Sequence, residues 1–319
     1  MTSLLQVENN WLRSTEEVIV RRSLGESQGY WAGAPSVWFD PEEARFYLYY
    51  RLRRPVGQGR GNEARIAVSR DGLDFEDIWS IRQDQLASPS IERGWLVHDA
   101  ADWVLFLSYV NGETNRWQID RLKAESVSAL SAAHRETVLD TTQAPAHAVK
   151  DPVIQKVGPL WYMYVSYAPL DLLGESTDQE LHRSGDVFTT GSVRSHTGLA
   201  VSADGVHFSW QGEVLASSQD GWDSLVSRVT GLLPAGNLYI AFYDGAASLG
   251  ENYEERGGLA VTADLHTFHK IRFPNALFQS AFGSARYFCP VVTPTGTYVY
   301  YEAASPQGSH YLCVRRLEA

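Results

Sequence analysis

The sequence predicts an all-β fold, a five-bladed β-propeller with four strands in each blade. Three observations carry this: a phrase that recurs along the chain, alternation of apolar and polar residues within it, and almost no helical periodicity. The phrase runs as a Pro-marked apolar strand, a turn, an aromatic strand, a polar loop and a small-residue strand ending in Ser/Thr-x-Asp. Its last part is clearest in RIAVSRDGLDF (65–75), TGLAVSADGVHF (197–208) and GGLAVTADLHTF (257–268).

Taken in order, the first strands are APSVWFD (34–40), SPSIERG (88–94), KDPVIQK (150–156), SRVTGLL (227–233) and YFCPVVT (287–293). The second strands are RFYLYYRL, DWVLFLSYV, LWYMYVSY, LYIAFYDG and TYVYYEA, whose β-branched and aromatic residues suit a pleated, half-buried surface. In those three copies, Asp-Gly or Asp-Leu after Ser/Thr-x marks a tight turn into an outer strand such as FEDIWSI or FSWQGEVLA. Radial repetition of such units leaves few open sheet edges. The fifth unit ends at CVRRLEA (313–319) without an outer strand, whereas WLRSTEEVIVRRS (11–23) has the character of one. The N-terminal segment is therefore expected to complete the last blade, making residues 1–319 a single domain. Cys289 and Cys313 then fall in the first and third strands of one blade, too far apart to bridge.

A content of 44% hydrophobic and 12% aromatic residues in 319 allows a large core without disulfides. The net charge of −11 argues against a nucleic-acid surface and against attraction to anionic lipid, so a neutral partner fits better. No basic start leads into an apolar run, and no stretch of about 18 apolar residues occurs, so a cytoplasmic protein without a membrane span is expected. Two cysteines fit a reducing compartment. HExxH, paired CxxC, GxSxG, GxGxxG and phosphate-loop motifs are absent, so no cofactor and no protein-ligated metal are expected. A water-coordinated channel ion such as calcium needs no motif and stays open. No feature of the sequence specifies an oligomeric state.

In a propeller the first strand of each blade lines the central channel, and its start lies at the same face as the loop joining strands two and three. Candidate funnel residues are therefore Trp31, Arg51, Arg54 and Glu63 in the first unit and His147, Lys150, Asp151 and His196 in the third. The fourth supplies Trp222, Arg228, Asp244, Glu254, Glu255 and Arg256, and the fifth Tyr287, Glu302 and His310. Carboxylates, arginines and aromatic rings in one hollow grip polyols through hydrogen bonds and ring stacking, so a small-molecule or oligosaccharide substrate is the natural ligand.

The phrases APSVWFDPEEARFYLYYR, KDPVIQKVGPLWYMYVSY, TGLAVSADGVHF and YDGAASLGENYEERGGLAVTADLHTF resemble the five-bladed propeller glycosidase superfamily. That superfamily includes arabinanases, β-xylosidases, invertases, levansucrases and the mannoside phosphorylases, and the resemblance runs from about residue 11 to 319. It implies a glycoside hydrolase or phosphorylase. In its arabinanase-like members an Asp base stands at the first strand of blade one, a pKa-tuning Asp in blade three and a Glu acid in blade four. Asp151 falls at the blade-three place. Gly33 or Ala34 stands where the base would be, and Ser227 or Arg228 where the acid would be. A glycosidase needs two carboxyls across the scissile bond, so Glu254, Glu255 or Glu302 would have to partner Asp151.

Each candidate has a plainer reading. Asp151 could pin its Pro-containing turn, though Ser or Asn would do that without a buried charge. Glu254, Glu255 and Arg256 could be a solvated charged loop, and Asp244 a turn former in Tyr-Asp-Gly. Glu302 follows Val-Tyr-Tyr at a strand end, where no turn role is evident. Arg51, Arg53 and Arg54, with Arg60 and Glu63, read either as a solvated loop or as a clamp for an anionic group on a sugar. His147 and His196 could be acid or base near neutrality or structural hydrogen-bonders. Asp71, Asp204 and Asp264 recur as turn residues and receive no catalytic role. A binding or scaffold propeller without catalysis is the alternative to the enzyme.

Overall fold

The computed structural model describes residues 17–317. It is all-β, with strands arranged as consecutive antiparallel meanders. After β1 (Val18–Arg21), the first meander is β2 (Trp31–Asp40), β3 (Arg45–Arg53), β4 (Gly61–Ser69) and β5 (Glu76–Arg82). The second is β6 (Ile91–Asp99), β7 (Asp102–Val110), β8 (Trp117–Ala124) and β9 (Glu136–Leu139). The third is β10 (Ala146–Val157), β11 (Leu160–Pro169), β12 (His196–Ser202) and β13 (Ser209–Leu215), with a short helix α1 (Asp178–His182) between its second and third strands. Then come β14 (Val226–Ala235), β15 (Leu238–Ala246), β16 (Arg256–Thr262) and β17 (His269–Lys270), and finally β18 (Ala285–Thr293), β19 (Gly296–Ala304) and β20 (His310–Leu317).

The middle three meanders are separate four-stranded sheets. The first and last merge into one eight-stranded sheet, because Trp31 in β2 pairs in parallel with His310 in β20. Strand β1 lies antiparallel on β20, with Val18 opposite Val314 and Ile19 opposite Cys313. The expected pairing of segment 11–23 with the end of the chain is thus present over 18–21, and residues 11–16 lie outside the described residues. Cys289 and Cys313 sit in β18 and β20 with β19 between them, and both are free and buried. First strands touch in cyclic succession: β2 with β6, β6 with β10, β10 with β14, β14 with β18, and β18 with β2.

Apolar side chains from facing sheets fill the spaces between them, as where Phe106 and Ile119 of the second meander meet Val149, Trp161 and Met163 of the third. Phe106 is fully buried, so truncating it to Ala costs about 3–5 kcal/mol by lost transfer and the cavity left behind. The far turns are near-copies. Asp71, Asp204 and Asp264 each accept backbone N–H bonds from the residues two and three positions ahead and pair with Ser69, Ser202 and Thr262. Gly72 and Gly205 follow at φ 76° and 72°, and Leu265 takes the same left-handed conformation at 64°. No helix among the described residues is long and apolar enough to cross a membrane.

Candidate functional site

At the opposite ends of the sheets, every first strand slips out of register with its second strand at the same place. The breaks fall between Gly33 and Ser36, Ile91 and Gly94, Lys150 and Val153, Val229 and Gly231, and Arg286 and Cys289. A bulge inserts a residue and re-aims its neighbours' side chains, here toward the channel mouth. Ala34, Asp151 and Tyr287 occupy bulges with φ of 53°, 57° and 57°. Asp tolerates that left-handed conformation better than most residues, which gives Lys-Asp-Pro a local reason at this point in β10. Beside the bulges, Arg51 pairs with Gly33, Ser166 with Lys150, Asp244 with Arg228 and Glu302 with Arg286.

These side chains enclose a cavity. Trp31, Arg51, Glu92, Lys150, Phe188, Arg228, Tyr253, Glu255, Arg286 and Tyr287 line it, with Ser166, Ser195, Val226 and Asn252. The enclosed space is small, about 10 Å³, room for about one water. Tyr253 helps close it. Its backbone is left-handed at φ 81°, its ring lies 5.1 Å from that of Trp31, and its hydroxyl donates to Asp186 at 3.2 Å.

One side of the cavity is a chain of buried ion pairs. Arg51 approaches Glu92 at 3.1 Å and Glu302 at 3.4 Å. Arg286 donates to Glu302 and Glu255 at 2.5 Å each, and Arg228 donates to Asp244 at 2.7 Å and Asp151 at 3.0 Å. Burial pushes each carboxyl toward its neutral form, and the guanidinium groups decide the outcome. Arg51 and Lys150 outweigh burial at Glu92 and hold it at about 2. Arg286, the His310 hydrogen bond and Arg51 do the same for Glu302, as Arg286 and Arg228 do for Glu255, so both lie below the usual carboxylate range. Asp244 behaves differently: burial, aided by the charge on Glu255, raises it to about 6 despite Arg228. Burial also keeps the Tyr287 hydroxyl protonated, and it donates to Asp151 while accepting from Arg228.

The other side holds Lys150, whose ammonium lies 4.8 Å from the Trp117 ring, 4.9 Å from Phe188 and 4.0 Å from an Asp151 oxygen. Hydroxyls belong to the same side: Ser108 accepts from the Asp151 N–H, and Ser166, opposite Lys150, bonds to Ser195. The vacancy that the sequence shows at Gly33 is filled from the neighbouring strands. A Cβ on Gly33 would lie 1.9 Å from the Glu302 carboxylate, which also accepts from the Ala34 N–H at 3.1 Å.

Of the candidates named from sequence, Trp31, Arg51, Lys150, Arg228, Glu255 and Tyr287 line the cavity. Asp151, Asp244 and Glu302 are fully buried directly behind it. His310 stacks on Trp31 at 5.0 Å and joins Glu302 to the rim residue Glu254, at 2.7 and 3.1 Å. The others lie elsewhere. Arg54 is exposed, Glu63 pairs with Arg65, and Arg256 pairs with Glu251. His196 bonds to Glu213 and Ser217, and Trp222 stacks on Tyr243. His147 faces the Leu170 carbonyl and His182, not Asp151. Glu92, Phe188 and Tyr253 line the cavity without having been named. Glu92 follows Ile91 at the bulge as Asp151 follows Lys150, a match that aligning SPSIERG with KDPVIQK position by position does not reveal. Phe188 and Tyr253 sit on long loops that follow no repeat.

No family model and no curated protein matches the sequence. Solved structures do match in shape. A glycoside hydrolase superposes with a TM-score of 0.68 at 12% identity, covering 100% of this chain and 96% of that one. The GH43_1 enzyme from Xanthomonas citri, complexed with xylotriose, gives 0.62 at 11% identity, covering 97% and 92%. β-1,2-Mannobiose phosphorylase from Listeria innocua gives 0.61 at 13% identity, covering 93% and 92%. The chain thus shares the propeller-type fold of glycoside hydrolases and mannoside phosphorylases.

Proposed function

We propose that the protein is a carbohydrate-active enzyme, a glycoside hydrolase or phosphorylase that binds an oligosaccharide or glycoside in the cavity at the strand mouths. We infer for it a single five-bladed propeller over residues 1–319, a reading supported by the cyclic order in which the first strands touch. The observation that carries the functional reading is the cavity wall itself: two ionised carboxylates, Glu92 and Glu255, face the same space as Trp31, Tyr253 and Tyr287. Aromatic faces and fixed carboxylates are what a sugar ring and an oxocarbenium-like transition state require. Glu255 is the first choice for the carboxylate that acts on substrate. Asp151, Asp244 and Glu302 touch arginines rather than the cavity and are positioning residues. A sugar is larger than the free space, so Tyr253 and its loop move aside on binding.

The channel does not suit calcium on this reading, because its carboxylates are committed to Arg51, Arg228 and Arg286, whose charges repel a cation. The buried free thiols of Cys289 and Cys313 favour a cytoplasmic setting. A second reading, sugar binding without turnover, is favoured by one feature: both lining carboxylates are ionised, leaving no carboxylic acid facing the cavity.

Aryl glycosides and natural oligosaccharides, with and without phosphate, separate the two. Turnover by the wild type that falls at least about 100-fold in Glu255→Gln, with the fold intact, supports the enzyme. Asp151→Asn should lower turnover less than Glu255→Gln. Saturable sugar binding with no turnover on any substrate supports the binder, and neither binding nor turnover rejects both.

A further inference from the structure

A second group of side chains lies outside the cavity, on the segment that walls it. Helix α1 carries Asp178 and His182, and the i,i+4 spacing sets both on one helical face. A capping box between Thr177 and Glu180 fixes where that face points. His147, near the start of β10, completes the group from across the loop. One ligand atom from each of the three residues lies within 4.8 Å of the others. His182 Nε2 is 3.5 Å from Asp178 Oδ1, and the two imidazole centroids are 6.5 Å apart.

His182 makes this more than a surface cluster. The residue is only 6% exposed, yet neither of its ring nitrogens has a hydrogen-bond partner among the described residues. An unpartnered buried polar group costs about 1–3 kcal/mol, so a fold that keeps one calls for a partner. An outer contact that orients a metal ligand is also in place. His147 Nε2 lies 3.3 Å from the Leu170 carbonyl, which orients that ring, whereas Arg116 donates to both Asp178 oxygens at 2.6 and 2.7 Å and has to yield one of them to an ion.

We infer that His147, Asp178 and His182 form a zinc site. Two imidazoles and one carboxylate match zinc's preference for nitrogen with some oxygen, whereas calcium and magnesium favour all-oxygen sets. Three protein ligands leave the fourth tetrahedral position to water. The ion fastens α1 to β10. Asp186, four residues beyond the helix, accepts from Arg60 and from Tyr253 over the cavity, so the ion steadies the wall against which Tyr253 closes.

The test is a zinc titration of chelator-stripped, full-length protein against a chromophoric competitor, with Co²⁺ as a spectroscopic stand-in. One equivalent of Zn²⁺ is expected to bind tightly and raise Tm, and Co²⁺ is expected to give the visible bands of a four-coordinate site. His147→Ala and His182→Ala should remove that equivalent and the bands, and Asp178→Asn should weaken binding about 10–100-fold. His147 is half-buried and Asp178 exposed, so those two variants test the site even if His182→Ala fails to fold. Absence of a stoichiometric zinc in the wild type, or titrations of His147→Ala and Asp178→Asn that superpose on it, would overturn the assignment.

Discussion

The two sides of the cavity meet the same requirement, charge at the mouth of a sheet, in opposite ways. From β2 round to β14, through β18 and β19, the wall is a run of arginines and carboxylates in which each member faces at least one of the opposite sign. At β10 it is one lysine between two aromatic rings, 4.0 Å from an Asp151 oxygen that Arg228 also holds. A buried charge that loses its partner is costly, whereas removing this lysine still leaves Asp151 with Arg228 and Glu92 with Arg51. The paired side is therefore the more rigid of the two, and the proposed ligand is expected to shift the charge balance most on the lysine side.

Three measurements press on that contrast. Arg286→Met strips Glu255 and Glu302 of their shared partner and should cost about 3–5 kcal/mol in chemical denaturation. A cost under about 1 kcal/mol would mean the paired side is no scaffold. Next in size is a pH effect at Asp244, which holds its proton up to about 6 when folded but only to 3.8 when unfolded. Between those values the folded state binds the extra proton, so stability falls as pH rises, by about 2–3 kcal/mol over the window. Asp244→Asn should flatten that slope, and an unchanged slope would place the titration elsewhere. The smallest effect is Lys150→Met, which should cost about 1 kcal/mol or less while weakening ligand binding at least about 10-fold. A large loss of stability with unchanged binding would reverse the roles of the two sides.

The repeat was legible because turns and strands obey local rules. Ser/Thr-x-Asp followed by a left-handed residue builds the same turn at Asp71, Asp204 and Asp264 whatever surrounds it. At the mouth, the same logic worked where chemistry sat on the first strands or their partners, as with Lys150, Arg228, Tyr287 and Glu302. It did not work for Tyr253 or Phe188, because no period governs long loops and only three-dimensional packing brings them over Lys150 and Trp31. Nor did spacing along the chain indicate that Glu302 would fill the hollow beside Gly33, because their distance in sequence ceases to matter once β20 lies against β2.

The single parallel contact between Trp31 and His310 also sets a timetable. During synthesis β2 leaves the ribosome before β20, so the cavity has no complete wall until β20 has emerged. A nascent chain stalled before β20 can hold its middle sheets yet lacks the stacking partner of Trp31 and one anchor of Glu302. Completion of the cavity wall is thus withheld from chains that have not yet reached β20, by chain order alone.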